Sequence, residues 1–174
     1  MMIFKTKRLI VRDLIESDRV DFYDMMGNPK VMNPIPMKIL TKVESDQKFD
    51  EFVNLCKQKS EKKIWAVILE NEFIGICGLI KNNENEDEIA YRFREKHWGL
   101  GYGTEIAEGL LKYGFEKLNS PIITADVFIE NKQSMKIIEK FMEFHFEFFS
   151  KEWNCMDRRY KITRSEWLKR DNIT

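Results

Sequence analysis

Trp98-Gly99-Leu100-Gly101-Tyr102-Gly103-Thr104 is the stretch on which the fold turns. Three glycines alternate with bulkier residues, and five of the eight glycines in the chain fall between Gly99 and Gly114. Ile89 to Arg94 (IAYRFR), just upstream, has the composition of a strand, and the pattern downstream to about Leu118 is helical. A glycine loop between a strand and a helix turns successive backbone N–H groups toward one point. Together with the positive end of the helix dipole, that point favours an anion, usually a phosphate. Glycine is required because a Cβ would block the close approach or the φ angle.

The loop residues alone leave three readings open. A P-loop needs a closing Gly-Lys-Ser/Thr, which is missing here. A dinucleotide loop of an oxidoreductase needs G-x-G-x-x-G, and here the third glycine comes early; Asp126 does stand at the end of the next strand, where a ribose-binding acid would be. The third reading is a plain strand-to-helix turn.

The rest of the chain supplies a mixed α/β pattern. Lys7 to Asp13 predicts a first strand. Ser17 is placed to cap a helix to about Met26, with Val20, Phe22, Tyr23 and Met26 as its apolar stripe and Gly27-Asn28-Pro29 as its stop. An irregular loop runs to Pro36. Thr41-x-x-Glu44 is a capping box for a helix to about Lys59, with Phe49, Phe52, Val53 and Cys56 at helical spacing. Ile64–Leu69 and Phe73–Ile80 form a hairpin through Glu70-Asn71-Glu72, and Asn82 to Glu88 is an acidic turn. Beyond the glycine loop come a strand from Ile122 to Phe128, a helix from Asn131 to about Phe141, strands at His145–Phe149 and Met156–Thr163, and a short turn at Ser165-Glu166-Trp167. The expected fold is α/β, a single mixed, mostly antiparallel twisted sheet of about seven strands flanked by helices, with residues 1–174 as one domain.

Composition narrows the function. Lys plus Arg and Asp plus Glu are 29 each, for a net charge of zero, so no global positive field points to nucleic acid or an acidic membrane. Cys56, Cys77 and Cys155 have no CxxC spacing, and His97 and His145 stand far apart; neither a disulfide framework nor a metal site is expected. The longest apolar run, Phe73 to Ile80, is too short to span a bilayer, and the N-terminus turns charged at once. The expectation is a reduced, cytoplasmic, soluble protein. Dimerisation through exposed strand edges is compatible with these residues.

Four stretches in order resemble one family. Arg8-Leu9-Ile10-Val11-Arg12 resembles an opening "RLxLR", and Phe73-Ile74-Gly75 an "xIG" hairpin. Ile89-Ala90-Tyr91 followed by Trp98 to Glu105 resembles "GYxxxxxxWGxGYxTE", and Asn131-x-x-Ser134 with Glu139-Lys140 resembles "NxxSxxxxEK". Together they are similar to the GNAT superfamily of acyl-CoA-dependent N-acetyltransferases, most of all its RimJ/RimL-like branch, over nearly the whole chain. The chain departs at Glu139-Lys140-Phe141-Met142-Glu143-Phe144, which lacks the helix-ending glycine of the family's "EKLGF" and carries one added residue.

The resemblance implies a sheet whose fourth and fifth strands splay apart, and acetyl-CoA as co-substrate. Its pyrophosphate would lie on the N–H groups of Trp98, Gly99, Leu100, Gly101, Tyr102, Gly103 and Thr104, and its pantetheine arm along the strand end at Phe93 and Arg94. Asn131 would be a further contact, as well as a helix N-cap. Ser134 is implied as proton donor to the leaving thiolate, and Glu152, shortly after the sixth strand, as the base. Asp87 and Glu88 are rivals for that base, although solvated turn charges are the plainer account of them. Lys132, Lys136 and Lys140 recur on one helix, facing either the CoA 3′-phosphate or solvent. Phe22, Tyr23, Met32 and the Pro34–Pro36 loop are placed to wall an acceptor pocket.

The expected reaction is direct attack of a primary amine, on a protein N-terminus or a small molecule, on the thioester. At pH 7 deprotonation costs roughly 1–1.4 kcal/mol for an α-amine and about 4.6 kcal/mol for a lysine. The alternative is a non-catalytic CoA-binding sensor or interaction module of the same fold.

Overall fold

The computed structural model describes residues 1–32, 37–57 and 63–171, without the side chains of Cys56 and Asp171. Its sheet has eight strands: β1 (Met2–Lys5), β2 (Ile10–Arg12), β3 (Lys63–Leu69), β4 (Glu72–Lys81), β5 (Asp87–Phe93), β6 (Ile122–Phe128), β7 (Glu143–Ser150) and β8 (Cys155–Thr163), in the order β1-β2-β3-β4-β5-β6-β8-β7. The helices are α1 (Arg19–Met26), α2 (Pro29–Met32), α3 (Lys42–Lys57), α4 (Tyr102–Glu116), α5 (Lys132–Ile138) and α6 (Arg164–Asp171). The additional strand arises because the Thr6 N–H donates to the Leu9 carbonyl at 3.0 Å, which folds the first segment into the β1–β2 hairpin. The strands expected to be fourth and fifth are therefore β5 and β6.

Both faces of the sheet are covered. One core, including Trp65, Ile74, Leu79, Ile106, Leu110, Leu111 and Tyr160, fills the α4–α5 side. Trp167 of α6 stacks on Phe115 there, at a centroid distance of 5.8 Å. The other core fills the α1–α3 side, where Phe22 meets Phe49 and Phe52 edge-on. β4 lies at the centre, and Phe73 to Leu79 are all buried, which is why its sequence is a continuous apolar run rather than an alternation.

Local chemistry explains most of the boundaries. Glu70 and Asn71 both take positive φ (48° and 72°), the two-residue turn that matches strand twist in a tight hairpin. The Thr41 box closes in both directions, Thr41 N to Glu44 Oε2 at 2.9 Å and Glu44 N to Thr41 Oγ1 at 3.3 Å. Ser17 caps nothing. It lies in a 3₁₀ turn at Glu16–Asp18, and Asp18 accepts from Ile15 N at 2.9 Å instead. Val20 is 72% exposed, and Met25 joins Phe22 and Met26 on the buried side of α1. The helix after Asn131 ends at Ile138, short of Phe141. β7 carries a bulge: Phe144 pairs with Tyr160 and Phe146 with Arg159, leaving His145 over. Among the described residues no helix is long and apolar enough to cross a membrane.

The pairing of β5 with β6 positions the site. It is the one parallel contact of the sheet among the described residues, and it consists of Asp87 with Ile123 and Glu88 with Thr124. Asp87 is fastened there by Ser120 Oγ at 2.6 Å and Lys81 Nζ at 2.9 Å, and Thr124 Oγ1 donates to its carbonyl at 3.3 Å. Beyond Glu88 the two strands part. β6 continues against β8 as far as Phe128, and β5 continues against β4 as far as Phe93.

Candidate active site

A slot between diverging strands leaves main-chain groups without a ladder. Arg94 N donates to the Ile74 carbonyl at 2.9 Å, which sets the register of the β4–β5 pair. By the alternation of an antiparallel ladder, the N–H and C=O groups of Tyr91 and Phe93, beyond the last β5–β6 pair, then point away from β4, into the slot. Left dry, each such group would cost about 1–3 kcal/mol. The Phe93 carbonyl is met by the indole N–H of Trp98 at 3.0 Å. Arg94 itself turns the other way: its carbonyl accepts from His97 N, and its side chain is held by Asp21, Asp24 and Glu72 at 2.9–3.1 Å. Of the expected strand-end pair, Phe93 faces the slot and Arg94 does not.

Two cavities meet at this slot and share Tyr91, Arg92, Asn131 and Ser134. The smaller, about 390 Å³, is lined by Phe93, Trp98, Gly99, Gly101, Tyr102, Gly103 and Thr104; Leu100 lies outside, 52% exposed. Gly99 and Gly101 have φ of +75° and +83°, the left-handed region that a side chain enters only with strain. Gly101 is the N-cap of α4 and offers no capping side chain, so the first-turn N–H groups of the helix stay open at its positive end. The loop is pinned from the far end of the chain. Arg8 donates from its main chain and its Nε to Glu105, both at 2.7 Å, and from Nη1 to the Leu100 carbonyl at 3.0 Å, and its guanidinium lies 4.4 Å from the Tyr102 ring centroid. Burial alone would raise Glu105, but the bonds from Thr6 and Arg8 outweigh it and hold the carboxyl low. Lys136 lines this cavity and Lys140 reaches Thr104 Oγ1 at 3.2 Å, whereas Lys132 turns back to the Ile129 carbonyl.

Asn131 caps α5 by accepting from Ser134 N at 3.1 Å, which brings the Ser134 hydroxyl to the slot. There it meets Tyr91 Oη at 3.2 Å. Burial pushes the Tyr91 phenol up to about 12, against the opposing bond to Ser134, so both groups hold their protons at neutral pH. The sequence left Tyr91 as a core aromatic; its place one ladder step before Phe93 on a strand that opens was the available signal.

The larger cavity, about 680 Å³, lies on the opposite face of β5 and β6. Glu88 sits at its floor beside Asp126, Asp157 and Arg159. Arg159 holds Asp126 in a two-pronged pair (2.8 Å each) and Glu84 at 2.8 Å, so Asp126 has a structural partner and is not a free ribose-binding acid. Burial, then the Asp126 charge, pushes Glu88 up to about 8. Burial and Asp126 also raise Asp157, which accepts from Cys155 Sγ at 3.4 Å. Glu88 is thus a half-buried carboxyl poised near neutral pH rather than a solvated turn charge. Glu152 is exposed, on the rim of the same cavity in the β7–β8 turn. Of the expected acceptor walls, Phe22 is in the core, Tyr23 does not line the cavity, Met32 touches Arg92, and Pro34–Pro36 lie outside the described residues. Cys77 is buried with its thiol raised by burial, and Cys155 is raised to about 11 by burial and Asp157, so neither is an activated nucleophile.

A parted parallel strand pair, with an uncapped glycine-led helix on one side and titratable carboxyls on the other, defines an acyl-transfer fold. The chain belongs to the GNAT acetyltransferase family: residues 8–141 match its acetyltransferase (GNAT) domain. It is an acyltransferase enzyme. It is 32% identical over 171 residues to the uncharacterized N-acetyltransferase YnaD of Bacillus subtilis, covering 93% of this chain and 97% of the relative. Among solved structures, a GNAT-family acetyltransferase from Bacillus anthracis superposes with a TM-score of 0.83 at 26% identity, covering 95% of this chain and all of that one. RimL, a ribosomal L7/L12 alpha-N-protein acetyltransferase solved with coenzyme A, superposes at 0.79 with 13% identity, covering 94% of this chain and 98% of that one, which is a likeness of fold.

Proposed function

We propose that the enzyme moves an acetyl group from acetyl-CoA to a primary amine by direct attack on the thioester. Acetyl-CoA enters from the glycine-loop side and the amine from the side of Glu88. The single observation that carries the reading is the slot beyond Glu88 and Thr124, which joins the two cavities at Tyr91 and Ser134. The residues fit the group: open helix N–H groups would take its pyrophosphate, and the slot-facing main-chain groups of Tyr91 and Phe93 would pair with its amide arm.

In this mechanism Glu88 takes the proton that the attacking ammonium must lose. Burial raises this carboxyl toward neutral pH, which suits it to accept a proton from an ammonium. The amine nitrogen bonds to the acyl carbon and the carbon–sulfur bond breaks; the leaving sulfur takes a proton from the Tyr91–Ser134 pair, and the second proton that the nitrogen sheds on becoming an amide restores that pair. Ser134 keeps the role expected of it, with Tyr91 as its partner. Glu88, half-buried in the cavity, is preferred as the base over the exposed Glu152.

The test is a melting curve with acetyl-CoA followed by a turnover assay that reads released thiol. A rise in melting temperature and thiol release with an amine panel are expected. Absence of any shift at millimolar acetyl-CoA would remove the reading; a shift without turnover of any amine would favour the binding module.

A further inference from the structure

Arg94 and Arg159 are buried and met by carboxylates, and Arg92 on β5 is partly exposed. Arg94 has Asp21, Asp24 and Glu72, and Arg159 has Asp126 and Glu84. Arg92 has none among the described residues. Its Nη1 lies 3.2 Å from Met26 Sδ and 3.4 Å from Met32 Sδ, its Nη2 lies 2.8 Å from Met37 Sδ, and its buried Nε has no hydrogen-bond partner. Thioethers are weak acceptors, so three sulfurs shelter the guanidinium from water without answering its charge. Burial lowers Arg92 only to about 10, which leaves it a cation at neutral pH.

Its position gives that cation a use. Arg92 lines both cavities, at the point where the slot joins them. On β5 it shares a face with Glu88 and Ala90, about 13 Å along the strand from Glu88 at the rise of an extended chain. Glu88, Ala90 and Arg92 all line the larger cavity. Glu88 stands at one end of that row, and at the other Arg92 presents a guanidinium with no carboxylate partner among the described residues. The planar fork of a guanidinium matches a carboxylate.

We propose that the acceptor is a small molecule carrying a carboxylate as well as its amine, and that Arg92 binds the carboxylate. This rests on the acetyl-transfer reading above and names its substrate class. A polyamine has no anion to offer Arg92, and a protein N-terminus carries its terminal carboxylate far from its amine. An amino acid offers a carboxylate to Arg92 while its amine is the group acetylated.

The experiment separates the two claims. Acetyl-CoA is first titrated against wild type, Arg92→Met and Arg92→Lys by melting temperature; no shift in wild type sinks the acetyl-transfer reading itself. With that shift present, thiol release is measured for L-alanine, β-alanine and 4-aminobutyrate, each against its own carboxamide, and for spermidine. At least one acid is expected to exceed its carboxamide in kcat/KM by about tenfold or more, the scale of a charge-assisted pair. That ratio should collapse in Arg92→Met and be partly kept in Arg92→Lys, whose single ammonium cannot grip both oxygens. Methionine suits a pocket already made of three methionines, so Arg92→Met is expected to fold, and Arg92→Lys gives an independent reading. A ratio of acid to amide is not moved by a merely structural role. The proposal is overturned if carboxamides or spermidine are used as well as the acids, if the acid preference survives in Arg92→Met, or if no acid is turned over while acetyl-CoA binds.

Discussion

The two cavities on either side of the slot are built from different materials. The smaller is organised by main chain, left-handed glycines, the open first turn of α4 and the unladdered edge of β5, with side chains such as Trp98 and Lys136 around it. The larger is made of side chains gathered from separate elements, Glu88 and Arg92 from β5, Asp126 from β6, Asp157 and Arg159 from β8, and Met37 from the segment before α3. On the proposed reading the backbone cradle takes the acetyl-CoA that the acceptors share, and it tolerates little change of conformation. A side-chain pocket is free to vary, because each residue contributes charge or shape without setting the path of the chain.

That contrast can be broken by mutation. Glu88→Gln should have the largest effect, a loss of about 10²–10⁴-fold in kcat/KM, the range for removing a general base, with the acetyl-CoA melting shift retained. Glu152→Gln should cost at least tenfold less than Glu88→Gln on the same scale; the reverse order in the thiol assay would move the base to the rim. Tyr91→Phe and Ser134→Ala each remove one hydroxyl of the pair, and each should lower kcat by roughly tenfold, with the double variant less than additive because the two act as a unit.

Gly101→Val tests the backbone side. A β-branched residue held at φ +83° is strained by about 1–3 kcal/mol, so acetyl-CoA affinity should fall about tenfold or more in a calorimetric titration. Unchanged affinity would mean that the loop does not have to hold this conformation.

The pH dependence sharpens the comparison most gently. Glu88 is raised from an ordinary carboxyl value of 4.5 to about 8, so the folded state keeps a proton that the unfolded chain has given up. The contribution of this group to stability therefore falls as pH rises through the window from 4.5 to about 8, and Glu88→Gln should flatten that slope in melting curves taken across it. In turnover, kcat/KM should rise with pH and level off above about 8, because only the deprotonated carboxyl accepts a proton.

Most of the backbone side was legible in the chain. The glycine spacing, the Thr41 box and the Glu70-Asn71 turn are local chemistry, written within a few residues and realised as written. The side-chain pocket was not. Glu88 has the sequence context of a solvated turn acid and Tyr91 that of a core aromatic, and the pull of Arg8 on Glu105 spans 97 residues. Arg92 has no sequence signal, because its distinguishing property is the kind of neighbour it has.

By itself the sequence determined the order of elements, the need for a glycine-led helix start, and membership of a family with one cofactor side. Those follow from φ angles, capping and periodicity, which depend on near neighbours along the chain. Tertiary structure alone decided where β5 leaves β6, which carboxyls are raised and that Arg92, among the described residues, sits against thioethers instead of a carboxylate. Burial and Coulomb interactions depend on distance through space, and folding sets that distance between residues the chain keeps far apart.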